Sequence, residues 1–144
     1  MGESLDGSLP ADLCARLLQL LDSADCLRRK VASVVLTWDG QILTEGYNST
    51  FREPSCTMGG CARCADPRIQ TGERHDLCEC KHAEYVALSQ IKSLPGRPLG
   101  VTLVSTTPPC HACRALAELN GVTRVLVATC GTSRLDSLTL KEKA

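Results

Sequence analysis

The chain of 144 residues is long enough for one domain with a buried apolar core, and 43% hydrophobic with 22% charged residues is an ordinary globular balance. No apolar stretch approaches the ~20 residues of a membrane-spanning helix. The 16 basic and 16 acidic side chains cancel and only 3% of residues are aromatic, so the cationic surplus of a polyanion binder and a base-stacking surface are both missing.

A small molecule is therefore the expected ligand, with no nucleic-acid or membrane partner. The opening Met1-Gly2-Glu3-Ser4 is not a basic-then-apolar leader. A single domain over residues 1–144 in a reducing, cytoplasmic setting is expected.

Along the chain, residues 8–27 read as a helix: Ser8 can cap it, Pro10 suits its first turn, and Leu13, Leu17, Leu20 and Leu21 repeat at helical spacing. Val31 to Thr37 and Ile42 to Tyr47 are short apolar runs around Asp39-Gly40, the pattern of a tight hairpin. From Asn48 to Cys80 the chain has Pro54, Gly59, Gly60, Pro67 and Gly72 and no usable periodicity. A structureless loop that long needs something other than a core to order it.

Residues 82–94 form the next helix, stopped by Pro95-Gly96. Gly100 to Ser105 is a buried strand. A third helix starts at Pro109 or Cys110 and runs to Asn120, with Gly121 as its left-handed terminator. Val125 to Ala128 is another buried strand, and Leu135, Leu138 and Leu140 suggest a last short helix. This order predicts an α/β fold with helices on both faces of a mixed sheet, its last two strands parallel through a helical crossover.

Ten cysteines stand at 14, 26, 56, 61, 64, 78, 80, 110, 113 and 130. Cys14, Cys26 and Cys130 are isolated and read as small buried hydrophobes. The other seven fall into two groups at the short spacings that metal ligation requires. In one of them, His82-Ala83-Glu84 opens a helix and Pro109-Cys110-His111-Ala112-Cys113 opens the next. Cys110 and Cys113, three apart, face the same way at a helix start. With His82 they make an N,S,S set that leaves a tetrahedral zinc one open position, the pattern of catalytic sites. Glu84 is close enough to touch a water there without being a ligand, and His111 lies outside the turn as a bystander.

The pair His-x-Glu and Pro-Cys-x-x-Cys is the signature of zinc nucleobase deaminases, and the chain resembles the cytidine deaminase superfamily over roughly residues 31–128. The resemblance implies a three-layer α-β-α fold with a sheet of about five strands, and zinc-dependent hydrolytic loss of ammonia from a cytosine ring. His82, Cys110 and Cys113 would hold the zinc, which lowers the pKa of water toward neutrality. Glu84 would take the water proton, deliver it to the ring nitrogen and protonate the departing amine.

Gly46-Tyr47-Asn48-Ser49 and the cysteine-rich stretch before His82 look most like the deoxycytidylate deaminase family. That likeness implies that Asn48, Ala83 and Arg52 lie against substrate, and that a second, structural zinc staples the insertion at residues 48–80. Four thiolates make a closed structural site that can order such a loop. Cys56, Cys61, Cys64 and Cys78 are the expected ligands, with Cys80 or His75 as substitutes. Ser49 stands where the family has Gly, and Val86 where it has Asn. The expected substrate is dCMP; a free nucleoside or a modified pyrimidine is the alternative. Family members commonly assemble, so a homo-oligomer is expected.

Overall fold

Leu13, Leu17 and Leu20 recur on one face of α1 (Ala11–Ser23), and all three are buried. The computed structural model describes residues 11–26, 29–51, 54–70, 80–94, 100–129 and 134–138; Ser8 and Pro10 lie outside these. β1 (Ala32–Leu36) and β2 (Ile42–Tyr47) form the expected antiparallel hairpin. Gly40 takes the turn at φ 91°, which its lack of a Cβ permits, and the Thr37 N–H donates to the Gln41 carbonyl at 2.8 Å.

On its other side β1 pairs antiparallel with β3 (Val101–Ser105), and β3 pairs parallel with β4 (Val122–Thr129). The crossover between the two parallel strands is α4 (His111–Leu119), as the sequence pattern predicts. β1 and β3 are buried along their whole length, because helices cover both faces. Val34, Leu36, Val104 and Leu126 pack against α1 on one face. Val35, Leu103 and Val125 pack on the other face against Ala87 and Leu88 of α3 (Ala83–Ser89, continued as a 3₁₀ turn over Gln90–Ser93) and Ala117 of α4.

The tail departs from expectation. Residues 134–138 form a fifth strand, β5 (Arg134–Leu138), antiparallel to β4 with Leu126 opposite Ser137, and the sheet order is β2-β1-β3-β4-β5. Leucines three apart at 135 and 138 suggested a helix, but the outer edge of β4 offers a row of backbone groups that an extended segment satisfies. Long-range pairing overrides local spacing here. Among the described residues of the 48–80 stretch only short pieces occur, a 3₁₀ turn at Cys56–Met58 and one helical turn, α2 (Ala62–Ala65).

Two contacts between β2 and α3 place the rest. A Cβ built on Gly46 would meet the Ala83 carbonyl oxygen at 2.3 Å and the Ala87 nitrogen at 2.7 Å, so only glycine lets the helix backbone come this close. One turn along, the Thr44 hydroxyl donates to the Ala87 carbonyl at 2.8 Å. Just beyond β2, Ser49 and Lys81 exchange backbone bonds, with the Lys81 N–H donating at 2.8 Å, which delivers the chain to the start of α3. Gly46→Ala is expected to force α3 off the sheet and to destabilise the fold by ~1–3 kcal/mol, read as a lower urea midpoint. An unchanged midpoint would mean that the helix has room to withdraw.

Candidate metal centre and carboxylate

His82 is the N-cap residue of α3 and Cys110 that of α4, both with extended backbone, and Cys113 lies in the first turn of α4. Their ligand atoms all lie within 4.8 Å of one another. His82 Nδ1 is 3.6 Å from Cys110 Sγ and 3.7 Å from Cys113 Sγ. A tetrahedral zinc with Zn–N of ~2.0 Å and Zn–S of ~2.3 Å has N···S edges of about 3.5–3.6 Å, so these three groups fit that ion. Burial, and then the negative charge of Glu84, pushes the Cys113 thiol up. A divalent cation held by these groups would reverse that balance and keep the sulfurs as thiolates. The positive ends of the α3 and α4 dipoles act in the same direction.

Glu84, in the first turn of α3, is buried at 4% exposure. A buried carboxylate needs donors, and the Ser105 hydroxyl at the end of β3 supplies one, 3.0 Å from Glu84 Oε2. Ser105 in turn accepts from the Ser33 hydroxyl at 3.0 Å. Ser33 stands between Ala32 and Val34 in buried β1, and Ser105 closes buried β3 after Leu103 and Val104. These polar residues in buried strands were the one signal in the sequence for these contacts.

Asn48 is buried, and its amide is occupied by backbone: Oδ1 accepts from the Val31 N–H at 2.8 Å and Nδ2 donates to the Arg29 carbonyl at 2.6 Å. It therefore joins the end of β2 to the approach to β1. Ala83 is fully buried with its carbonyl against Gly46. Tyr85 and His111 are exposed, as is the side chain of His82. Arg52, His75 and Cys78 lie outside the described residues. Ser49 is buried, donates its hydroxyl to Asp25 Oδ2 at 2.9 Å and accepts from the Phe51 N–H at 3.0 Å. Phe51 sits at φ 54°, in the left-handed region.

A second group of sulfurs differs in membership from the expected one. Cys26, Cys56, Cys64 and Cys80, all buried, have their sulfurs within 4.8 Å of one another. Cys26, expected to be an isolated hydrophobe, comes from the segment after α1, with its Sγ 3.6 Å from Cys64 Sγ. The S···S edge of a tetrahedral zinc–thiolate site is about 3.8 Å, so this set also fits the ion. Cys61 is fully buried beside the four and bonds to Cys64, but it is outside the group whose sulfurs all converge. Of the two cysteines around Glu79, the described one, Cys80, is in the cluster. Burial, followed by bonds to Cys26, Cys56 and Cys61, pushes the Cys64 thiol up. No spacing rule could have found Cys26, thirty residues upstream of Cys56; only the fold brings it in.

No curated protein matches the chain. In fold it is similar to the crystal structure of dCMP deaminase from the cyanophage S-TIM5 in complex with dCMP and dUMP, with a TM-score of 0.58, 24% identity, and coverage of 79% of this chain and 76% of that one. The apo form of the same phage enzyme gives a TM-score of 0.53 at 22% identity, covering 81% and 82%. A family model for the cytidine and deoxycytidylate deaminase zinc-binding region matches residues 11–129. The chain thus belongs to the cytidine and deoxycytidylate deaminases, hydrolytic enzymes that act on cytosine nucleosides or nucleotides.

Proposed function

We propose that this chain is a two-zinc deaminase that converts a cytosine nucleotide, dCMP foremost, to its uracil counterpart with release of ammonia. The observation that carries the reading is the meeting of His82, Cys110 and Cys113 from two helix starts beside the buried carboxylate of Glu84. Three ligands leave a fourth position for chemistry, whereas the Cys26, Cys56, Cys64 and Cys80 set closes on itself as a structural site. When bound in the three-ligand site, zinc supplies a water that gives up a proton near neutral pH.

The chain's own residues do the rest. Glu84 takes the water's proton as its oxygen adds to the ring carbon bearing the amine, and passes that proton to the adjacent ring nitrogen. It then takes the proton of the newly added hydroxyl and gives it to the exocyclic nitrogen; the carbon–nitrogen bond breaks, the hydroxyl oxygen becomes the ring carbonyl, and one water has been exchanged for one ammonia. His82 and the two cysteines set the site's position by standing at rigid helix starts.

The nucleotide is supported by Gly46-Tyr47-Asn48, the stretch resembling the deoxycytidylate enzymes, and by a fold shared with a phage enzyme whose crystal structure contains dCMP and dUMP. Ser49 favours a second reading, a free nucleoside or modified pyrimidine, because its hydroxyl is committed to Asp25 in a turn where the family has glycine. A homo-oligomer in the cytoplasm belongs to the same proposal.

Ammonia release from purified, zinc-loaded protein on cytidine, deoxycytidine and their monophosphates tests the substrate: dCMP is expected to have the highest kcat/KM, and equal rates with and without phosphate would overturn the nucleotide reading. Glu84→Gln is expected to keep its metal and to lose ~10²–10⁴-fold in kcat. Elemental analysis is expected to find two zinc ions per wild-type chain. Cys26→Ala should lose one of them and Cys110→Ala the other; a Cys26→Ala protein with its full metal content would remove Cys26 from the site.

A further inference from the structure

We infer that Ser105, backed by Ser33, positions Glu84 for proton transfer; the inference rests on the deaminase reading and deepens it. Ser33 and Ser105 stand directly opposite each other on β1 and β3, and neither has any exposed surface. Hydroxyls buried among Val and Leu are unfavourable unless bonded, and an Ala or Val pair would satisfy the sheet without them. What distinguishes this place in the sheet is Glu84, 3.0 Å from the Ser105 hydroxyl.

The direction of the chain of bonds follows from donor counting. The Ser105 hydroxyl donates to Glu84 Oε2, which spends its one hydrogen. Its lone pairs are then open to Ser33, whose hydroxyl lies 3.0 Å away. The two serines form a one-way series that ends on Oε2. Both project to the sheet face that carries Val35 and Leu103, which is the face α3 covers.

A carboxylate that must receive a proton and hand it on gains from having one oxygen fixed. With Oε2 held by Ser105, Oε1 is the oxygen that shuttles the proton, and its swing is limited to one geometry. Preorganisation of this kind acts on the chemical step more than on substrate binding. Ser105 is a positioning residue, acting through Glu84, and Ser33 orients Ser105.

The experiment uses the full chain loaded with zinc and compares wild type, Ser105→Ala, Ser105→Thr and Ser33→Ala. Zinc content is expected to be the same in all four. In Ser105→Ala, kcat should fall ~10–100-fold, the factor that one lost hydrogen bond to a charged group corresponds to, with KM nearly unchanged. Ser105→Thr, which restores the hydroxyl, should recover most of the rate, and Ser33→Ala should show a smaller loss of kcat. A crystal structure of Ser105→Ala is expected to show the Glu84 carboxylate turned from its wild-type orientation.

An unchanged kcat in Ser105→Ala, a raised KM alone, or no recovery in Ser105→Thr would overturn the inference while leaving a working deaminase. A zinc-loaded wild type with no turnover on any cytosine nucleoside or nucleotide would instead overturn the deaminase reading, and the orientation of Glu84 in the two crystal structures would then decide whether Ser105 holds it. If Ser105→Ala does not fold, Ser33→Ala decides on the same readouts: a kcat equal to wild type would overturn the series.

Discussion

At Gly46 the backbone of β2 lies against the backbone of α3 with no room for a Cβ between them. That contact sets how deeply the start of α3 sits, and both His82 and Glu84 belong to that start. Because one element carries the imidazole and the carboxylate, their separation is fixed by local helix geometry alone. Cys110 and Cys113 have to be brought to them from elsewhere, and the β3–α4 connection does so. The depth of α3 is thus the variable that decides whether three ligand atoms meet at metal-ligand spacing or fall a few ångströms apart. A shift of one ångström at such a site can be worth orders of magnitude in rate.

The polar groups of the core follow the same logic. Thr44, Ser33, Ser105 and Asn48 are buried where an apolar residue would be easier to accommodate, and each ends on α3, on its carboxylate or on the segments flanking β1 and β2. The two faces of the sheet are unlike. The face against α1 is held by Leu and Val contacts, which are strong but non-directional, with a partly exposed ion pair between Arg16 of α1 and Glu45 of β2 beside them. The face against α3 adds buried side-chain hydrogen bonds that fix rotation and depth, and α3 is the helix that carries His82 and Glu84 at its start.

Much of this was legible in the residues. Periodicity located α1, the hairpin, the two parallel strands and the crossover helix, since each is built from local spacing, with Asp39-Gly40 and Gly121 as punctuation. The His-x-Glu and Cys-x-x-Cys pairs were legible for a related reason: ligands on one turn must be close in sequence. What escaped is what depends on distant pairing. β5 is a strand because β4 has an open edge, which its leucine spacing does not reveal. Cys26 joins Cys56, Cys64 and Cys80 because the end of α1 folds back beside the loop. Ser105 meets Glu84 because β3 runs beneath α3.

The cysteine cluster fills a gap that the aliphatic cores leave. Its buried members, Cys26, Cys56, Cys61, Cys64 and Cys80, are all small thiols, with none of the Leu or Val that hold the sheet faces. Burial of such small side chains contributes little, so the proposed metal at these sulfurs would supply directed bonds that apolar packing does not. Cys80 is two residues from His82, and a chain spans at most about 7 Å over that separation. Lys81, between them, is fastened to Ser49 by paired backbone bonds. Fixing the Cys80 sulfur therefore fixes the entry to α3, and with it His82. The cysteine cluster and the proposed catalytic centre are thus joined through Cys80 and Lys81, because what fixes these two residues also sets where His82 stands.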